Sequence, residues 1–472
     1  MSTVFRRFLS TTKAVSQFHK VSEGKATILL PEKVFYNPIQ QFNRDLSIAV
    51  IRTWSKLFEK EKQNKKKASY EKFSFTLLEA LGATGLRSIR YAKEIPNIKH
   101  IICNDISLQA VETIRQNVEY NGLSIVKANH ADAMEFMYSR KGEFDVVDID
   151  PYGTAAPFID SAIQTVSDGG LICLTCTDLA VLSGAVHPET CFGKYGGMPL
   201  RGMFPHEMAI RLVLQSLSVS ASRYRRYIVP LVSCSVDFYL RVFLRVYTSP
   251  KEVKKAASKT GLFYECSGCH SYHVQPLGKI NNVETGPIIN TLCEHCQHPH
   301  YIGGPAYAGN IHDKEFVASL LEHIDEDYGT HERLRGMLSV IHEETEDTPL
   351  YWTLGRLTRV LKCNSMKLLD LYSAIANAGF NVSSSHCDPL SIKTNAPPKV
   401  IWDIFRAWIK QHPVVMKNIP EGAPGRAILS KTNELDVDFT RHEEVYSTVS
   451  RKKKLTRYQV NPTAHWGPKS RA

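Results

Sequence analysis

The amino-acid sequence predicts an α/β protein whose larger part is a doubly wound, mostly parallel sheet and whose smaller C-terminal part mixes helices with short strands. Between residues 73 and 248, short apolar runs alternate with amphipathic helical segments, which is the pattern of a parallel sheet. The last two runs follow one another without a helix, which predicts an antiparallel hairpin at one sheet edge. The runs occupy residues 73–81, 100–103, 144–150, 169–177, 227–232 and 238–248.

Composition excludes several protein classes. The 472 residues are 43% hydrophobic and 22% charged, as in ordinary globular proteins, and their number predicts about three domains. No apolar run approaches the roughly 18 residues of a membrane span, and eleven cysteines without a secretory leader argue against a disulfide framework. The net charge of +11 predicts a polyanionic partner, although the basic excess is concentrated near the two chain ends.

A glycine turn and an acid indicate a nucleoside-containing cofactor. The segment LLEALGATGLRSIRY contains a strand, a turn from Gly82 to Gly85 and the start of a helix, so that backbone N–H groups can approach a ligand. Asp105 ends the next strand, at the spacing at which an acid accepts hydrogen bonds from both ribose hydroxyls. Because neither a G-x-G-x-x-G nor a Walker sequence is present, the pattern favours S-adenosyl-L-methionine (AdoMet) over a dinucleotide or ATP. The hairpin edge agrees, since it is the usual layout of AdoMet-dependent (class I) methyltransferases.

Asp132 lies in the segment NHADAMEF, where the third strand of the sheet is expected to end. From that place its side chain, or the next backbone N–H, can contact an adenine ring. The alternative is that Asp132 caps the following helix. The sequence leaves both interpretations open.

The segment FDVVDIDPYGTAAPF places Asp150-Pro151-Tyr152-Gly153 at the carboxyl end of the fourth strand, where ligands bind in open α/β sheets. An exocyclic amine on a nucleobase is a poor nucleophile because its lone pair is delocalised into the ring. A carboxylate that accepts its N–H hydrogen bond helps the lone pair to localise, and an adjacent aromatic ring holds the base by stacking. Asp150 and Tyr152 therefore indicate an amino-group methyltransferase.

Two C-x-x-C motifs predict a metal site. Cys266 and Cys269 form one motif, and Cys293 and Cys296 form the other. Four thiolates make a closed tetrahedral site for a structural Zn²⁺. The alternatives are a Cys₃His set that uses a nearby histidine and a cluster of buried cysteines without metal.

The C-terminal part has the element order of a winged-helix module. Two helical segments, LGRLTRVLK and MKLLDLYSAIANAG, precede the strand-like runs FNVSSSH and LSIKTN and the helix KVIWDIFRAWIKQH. We expect this α+β, zinc-containing region to bind RNA.

Several sequence blocks together resemble the tRNA (guanine-26 N2,N2)-dimethyltransferase family, in its eukaryotic, fungal-like branch. The blocks include VFYNPIQQFNRDLS, LEALGATGLRSIRYAKEIP, DIDPYGTAAPFIDSAIQ, TCTDLAVL and SIKTNAP, and the resemblance extends from about residue 24 to WGPKSR at the end. It implies that Phe35 and Tyr152 flank the target base and that Asp150 is the catalytic carboxylate. Tyr152 stands where archaeal relatives carry phenylalanine, a departure that retains the stacking ring. AdoMet contacts are implied for Arg44, Arg87, Asp105, Asp132 and Ala133, in addition to Gly82 and Gly85.

The activity implied is AdoMet-dependent transfer of two methyl groups to N2 of one guanine in tRNA, by a protein expected to act as a monomer. One alternative is methylation of another amino group, such as adenine N6 or a glutamine amide. The other is a zinc-containing tRNA-binding or tRNA-folding factor whose transferase site is vestigial. The intact Gly85, Asp105 and Asp150 argue against the last interpretation.

The expected organisation begins with a basic segment, residues 1–22, which has the composition of a mitochondrial presequence or is a disordered N-terminus. Together with the lysine run near residue 65, it suggests both mitochondrial and nuclear localisation. The remaining expected units are a catalytic domain at 23–250 with a charged connection at 57–72, a zinc-binding segment at 251–310, a winged-helix-like domain at 311–445 and a basic tail at 446–472.

Overall fold

The computed structural model describes residues 18–31, 36–65 and 72–459. Most of the expected presequence, Phe35 and the end of the basic tail lie outside the described residues. In the part of the chain that is described, no helix is long and apolar enough to cross a membrane.

The first half of the chain forms a central sheet with helices on both faces. Its elements are β1 (Phe18–Glu23), β2 (Ala26–Pro31), α1 (Gln41–Lys65), β3 (Phe75–Glu79), α2 (Leu86–Glu94), β4 (Ile98–Asp105), α3 (Leu108–Tyr120), β5 (Val126–His130), α4 (Ala133–Tyr138), β6 (Phe144–Ile149), α5 (Ile159–Thr165), β7 (Val166–Cys176), α6 (Leu179–Leu182), α7 (Pro188–Tyr195), α8 (Pro205–Arg223), β8 (Arg226–Val236) and β9 (Tyr239–Thr248).

The second half is built from short sheets and helices. Its elements are α9 (Pro250–Val253), β10 (Thr260–Cys266), β11 (Tyr272–Pro276), β12 (Gly278–Lys279), β13 (Asn282–Val283), β14 (His300–Tyr307), α10 (Lys314–Glu322), α11 (His331–Glu343), β15 (Trp352–Thr353), α12 (Leu354–Leu361), α13 (Leu368–Asn377), β16 (Val382–Ser385), β17 (Asp388–Thr394), α14 (Pro398–Gln411), α15 (Pro424–Leu429), α16 (Glu443–Tyr446) and α17 (Val449–Lys452).

The central sheet confirms the predicted mostly parallel layout with a hairpin edge. Among the described residues its strand order is β5-β4-β3-β6-β7-β9-β8. Strands β3 to β7 are parallel, and the hairpin β8–β9 joins them antiparallel through the pairing of β7 with β9. β5 is absent from the apolar runs of the sequence because it is an edge strand with half-exposed polar residues. Its presence was implied only by the expected position of Asp132.

Helix α1 differs from the sequence expectation. Residues 57–65, which were expected to belong to a charged connection, form the last turns of this helix. The reason is packing on one face: Phe58 is buried and stacks on Trp54 at 4.7 Å between ring centroids. Glu61 forms a salt bridge with Arg245 of β9 at 2.6 Å. Glu61 therefore helps to anchor the helix to the sheet, whereas Lys60 and Lys62 are exposed on its outer face.

The structure also differs from the expected domain boundaries near both ends of the chain. β1 begins at Phe18 and pairs with β2, so residues 18–22 belong to an ordered hairpin and not to the basic leader. Near the C-terminus the chain stays packed beyond residue 446, because Ser450 hydrogen-bonds the carboxylate of Glu343 at 2.7 Å through both its N–H and its hydroxyl. The Tyr458 hydroxyl donates to the carbonyl of Ser385. The expected free tail is thus attached to the protein at least to residue 458.

The C-terminal region covers one edge of the central sheet. β8 is the edge strand, and two of its backbone N–H groups donate to histidine side chains of the C-terminal region, Ser233 to His312 and Ser235 to His386, each at 3.2 Å. The hairpin β16–β17 follows α12 and α13, and β15, which precedes α12, pairs with β17 to complete a small antiparallel sheet. This element order matches the expectation of two helices, two strands and a helix.

Candidate active site

The predicted glycine turn connects β3 to α2. Gly85 has φ +78° and precedes α2, whose start has no side-chain cap. Among the described residues the N–H groups of Leu86 and Arg87 have no partner and are available to a ligand, whereas that of Ser88 donates to the Glu79 carboxylate at 3.0 Å. Gly82 has a packing reason to be glycine, because a Cβ there would lie 2.4 Å from Sγ of Cys103.

Asp105 ends β4 as expected and faces this turn. One carboxylate oxygen accepts from the backbone N–H of Ala83 and the other from that of Ser107, each at 2.9 Å. These bonds fix the carboxylate beside the glycine turn. Since each carboxylate oxygen has two lone pairs, Asp105 retains acceptor capacity for ribose hydroxyls.

Asp132 is the N-cap of α4. Its Oδ1 accepts from the N–H of Met134 at 2.7 Å and from that of Glu135 at 3.2 Å. The helix cap that the sequence left open is thus observed. The cap does not conflict with a ligand contact, because Oδ2 is not used in these bonds, and the neighbouring Ala133 is buried.

Asp150 follows β6 and forms an ion pair with Arg87 of α2. Nη2 of Arg87 donates to Oδ2 of Asp150, and Nη1 lies 3.7 Å from Asp148. The Asp150 side chain is 30% exposed, so one side of it is accessible from outside. Burial disfavours its ionisation, but the charges of Arg87 and Arg241 prevail and hold the pKa of Asp150 below its ordinary value.

A second buried arginine, Arg241 of β9, lies beneath this pair. Its Nη2 donates to Asp148 and to the Ser47 hydroxyl, each at 2.8 Å, and its Nη1 donates to the Thr175 hydroxyl at 2.9 Å. Sequence reasoning missed Ser47, Thr175 and Arg241. Arg241 lies in the apolar run 238–248 on the edge hairpin, and only the contacts across the sheet show that it faces the site.

Tyr152 is 89% exposed, so its ring is presented to the surroundings beside Asp150. The loop that carries it is fixed from behind. The N–H of Gly153 donates to the Thr177 hydroxyl at 2.6 Å, and the N–H of Thr177 donates back to the carbonyl of Gly153 at 2.9 Å. A rigid loop with an exposed ring can stack on a base without reorganisation. Phe35, the expected partner ring, lies outside the described residues.

Arg44 of α1 is held by the N-terminal hairpin. Its Nε and Nη2 donate to the two carboxylate oxygens of Glu23 at 2.6 and 2.5 Å, and Nη2 also donates to the carbonyl of Asn37. The desolvation of Glu23 is outweighed by Arg44 and Arg90, which lower the pKa of this carboxyl. Arg44 is thus held in a buried ion pair with Glu23, and its contact with the cofactor stays a prediction.

The four cysteines of the two motifs meet in one buried cluster. Their Sγ atoms all lie within 4.8 Å of one another, with 3.3 Å between Cys266 and Cys296 and 3.6 Å between Cys269 and Cys293. The residue after each motif has a left-handed conformation, φ +64° at His270 and +60° at Gln297. No histidine joins this cluster among the described residues.

A second group of metal-ligand types, His312, Glu344 and His386, has a different character. Ser233 N–H donates to Nδ1 of His312, so a neutral ring carries its proton on Nε2 and cannot ligate a metal there. His386 accepts from Ser235 at Nε2 and is bonded to Glu344 through Nδ1 at 2.7 Å. The ammonium of Lys393 lies 3.7 Å from Glu344. These contacts disfavour a cation and make the group a charge-balanced link between the sheet edge and the C-terminal region.

Comparison with known proteins places the chain among tRNA methyltransferases. The family profile described as "TRM: N2,N2-dimethylguanosine tRNA methyltransferase" matches residues 16–406. The chain is 44% identical to a tRNA (guanine(26)-N(2))-dimethyltransferase of Schizosaccharomyces pombe, over 96% of this chain and 92% of the relative. It is 42% identical to the human enzyme of that name, over 96% and 77%. It is 40% identical to the Saccharomyces cerevisiae enzyme whose name adds "mitochondrial", over 97% and 93%.

A solved structure agrees with these relatives. The structure of Trm1 from Pyrococcus horikoshii with S-adenosyl-L-methionine is similar with a TM-score of 0.70 and 27% identity, over 81% of this chain and 98% of that one. Its similarity confirms the predicted methyltransferase sheet. With the glycine turn, the strand-end acids and Tyr152 in one place, the chain belongs to the N2,N2-dimethylguanosine tRNA methyltransferase family.

Proposed function

We propose that this protein is an AdoMet-dependent tRNA methyltransferase that forms N2,N2-dimethylguanosine at guanine 26. Similarity over nearly the whole length of curated enzymes with this activity supports it. The structural observation that carries the proposal is Asp150, ionised by Arg87 and accessible beside the exposed ring of Tyr152. This combination suits an aromatic base with an exocyclic amine.

AdoMet, when bound, supplies the electrophilic methyl group. The residues that would hold it are the turn from Gly82 to Gly85, Asp105, and Asp132 with Ala133. The fit is supported by the unbonded N–H groups of Leu86 and Arg87 at the start of α2 and by the Asp105 carboxylate fixed at the turn. Arg44 and Arg87 are implied by the family resemblance, and both hold a carboxylate in the present structure.

Asp150 prepares the amine. An ionised carboxylate accepts a hydrogen bond from the guanine N2 amine, which localises the nitrogen lone pair and stabilises the positive charge that develops on it. Arg87 occupies one Asp150 oxygen and thereby keeps the carboxylate ionised and oriented. The proton that the nitrogen loses on methylation passes to Asp150 and from its exposed side to solvent. The singly methylated amine retains one N–H, which can be presented to Asp150 for the second transfer once the spent cofactor has been replaced by AdoMet.

Tyr152 and Phe35 hold the base by stacking. A guanine inside folded tRNA is reached only when it swings out of its stack, at a cost of a few kcal/mol. An exposed ring on a fixed loop offsets part of that cost, because base–aromatic stacking stabilises a flipped base by about 1–3 kcal/mol.

The cysteine cluster is proposed to bind one structural Zn²⁺. A tetrahedral ion with Zn–S bonds of about 2.3 Å places its sulfurs about 3.8 Å apart, and the observed separations of 3.3 and 3.6 Å are close to that value. Four thiolates leave no open position, so the ion stabilises the region and takes no part in methyl transfer.

The winged-helix-like region that follows the cysteine cluster is proposed to bind tRNA. The basic N-terminal segment is proposed to direct the protein to mitochondria, and the lysine run near residue 65 is proposed to direct it to the nucleus.

The decisive experiment is a comparison of wild type with Asp150→Asn. We expect the wild type to form N2,N2-dimethylguanosine in tRNA, measured by nucleoside mass spectrometry, and the variant to bind AdoMet by calorimetry but form no product. A variant with full activity would remove Asp150 from the mechanism. If methyl groups from labelled AdoMet appear only in methyladenosine or in protein, another amino group is the target. If no methyl group is transferred while tRNA binding is intact, the protein is a tRNA-binding factor.

A further inference from the structure

The hydroxyl of Ser47 is a shared acceptor for the two buried arginines of the site. Nη1 of Arg87 donates to it at 3.1 Å and Nη2 of Arg241 at 2.8 Å. The Ser47 hydroxyl in turn donates to the carbonyl of Asn43, one helical turn earlier, at 2.7 Å. Ser47 itself is completely buried in α1.

These three bonds use the full capacity of a hydroxyl group. A serine oxygen has one hydrogen and two lone pairs, and arginine nitrogens can only donate. The helix carbonyl takes the hydrogen, so both lone pairs face the arginines. The direction of all three bonds is therefore determined, and the oxygen cannot rotate without losing at least one of them.

The two terminal nitrogens of Arg87 donate to different side chains. Nη1 is directed to Ser47 and Nη2 to Asp150. Because the guanidinium is planar and rigid, fixing one terminal nitrogen restricts the direction of the other. Arg241 bonds the same Ser47 oxygen and also Asp148, which lies 3.7 Å from Arg87. Ser47 thus joins α1, α2 and β9 at the base of the carboxylate.

We propose that Ser47 is a positioning residue for methyl transfer, which orients Arg87 so that its guanidinium holds Asp150 in the orientation that accepts from the target amine. The inference rests on the proposed function, because it concerns the same carboxylate. Because Ser47 is completely buried and its hydroxyl bonds Asn43, Arg87 and Arg241, it acts on the carboxylate through Arg87. Ser47 changes the charge of neither Arg87 nor Asp150, and it affects only the orientation of these two side chains.

The test compares Ser47→Ala with Ser161→Ala. Ser161 is equally buried and likewise donates to a carbonyl of the preceding turn, at 3.1 Å from Phe158, but it contacts no arginine. We expect Ser47→Ala to lower kcat roughly tenfold, the effect of one hydrogen bond to a charged group. The KM for tRNA should stay within about twofold because the outer surface is unchanged. Ser161→Ala should keep both constants, and Ser47→Thr should restore part of kcat.

A second measurement separates positioning from general destabilisation. In an Arg87→Lys background, Ser47→Ala should cost much less in kcat than in the wild type, because the lysine ammonium lacks the rigid fork through which Ser47 acts. Equal kcat in Ser47→Ala and Ser161→Ala would overturn the proposal, as would an undiminished loss in the Arg87→Lys background. If the wild type forms no dimethylguanosine, the proposed function itself fails. Wild-type activity with an unaffected Ser47→Ala variant refutes only this inference.

Discussion

Arg87 donates from Nη2 to Oδ2 of Asp150, so that a buried cation on α2 holds the carboxylate that directly follows β6. The charges of Arg87 and Arg241 consequently hold the pKa of Asp150 below its ordinary value, while its side chain remains 30% exposed. A carboxylate of this kind can accept from an amine at neutral pH without first losing a proton.

Removal of Arg87 tests this relationship. In Arg87→Met the pKa of Asp150 should rise, so the acid limb of the kcat/KM profile, measured at saturating AdoMet, should move to higher pH. The sign follows because the ionised form is the active one and Arg87 lowers the pKa of that carboxyl. Arg87→Lys keeps the charge and should shift the limb less. An unchanged acid limb in Arg87→Met would contradict the role of this ion pair.

Replacement of Tyr152 tests the stacking surface. Tyr152→Ala should lower kcat/KM by roughly 10- to 100-fold, corresponding to about 1–3 kcal/mol of base stacking. Tyr152→Phe retains the ring and should stay near wild type. Because the ring is 89% exposed, thermal unfolding should be the same in all three proteins. Wild-type kinetics for Tyr152→Ala would show that the ring does not contact the base.

Metal analysis tests the cysteine cluster. The purified protein should contain about one zinc per chain, and Cys266→Ser should lose the metal and unfold at a lower temperature. Cys363→Ser is the matched control, because Cys363 lies outside the cluster and is only partly buried. A Cys266→Ser variant with full zinc content and stability would refute a structural site at these four residues.

The link between sheet edge and C-terminal region should make stability depend on pH. Burial lowers the pKa of His312 from 6.5 to about 3, outweighing the charge of Glu344. The unfolded chain therefore binds one more proton between about pH 6.5 and 3, and the contribution of neutral His312 to the free energy of unfolding is lost as pH falls through this window, by up to about 1.4 kcal/mol per pH unit. Denaturant unfolding at pH 7 and 5 should show a larger loss for the wild type than for His312→Asn. Equal losses of unfolding free energy in the wild type and in His312→Asn would show that His312 does not cause the pH dependence.

Because the C-terminal segment is packed against the fold, substitution tests its role in tRNA binding better than truncation. Deletion of 446–472 removes Ser450 and Tyr458, whose bonds attach the segment to the fold. Replacing the exposed Lys452, Lys453 and Lys454 with glutamine leaves those anchors in place. We expect unchanged thermal stability and a smaller salt dependence of tRNA binding, by somewhat less than one unit of slope for each tRNA phosphate that the lysines neutralise. An unchanged slope would show that these lysines do not contact tRNA.

The sequence by itself determined the features that depend on neighbours along the chain. Alternating apolar runs and helices predicted the parallel sheet, and the missing helix after residue 232 predicted the hairpin β8–β9, because strand and helix periodicities are local. The glycine turn and Asp150 could be placed at strand ends for the same reason, since the carboxyl ends of parallel strands share one edge. The spacing within each C-x-x-C motif likewise predicted a four-cysteine cluster, which the fold assembles.

Only the tertiary structure decided which charges meet. Ser47 and Arg241 are 194 residues apart in sequence and touch because α1 crosses the sheet near β9. The same holds for Arg87, whose pairing with Asp150 depends on the order of β3 and β6 in the sheet. The extension of α1 to Lys65 was also decided by packing. A buried charge takes its partner from whatever the fold brings within reach, and no local pattern records that choice.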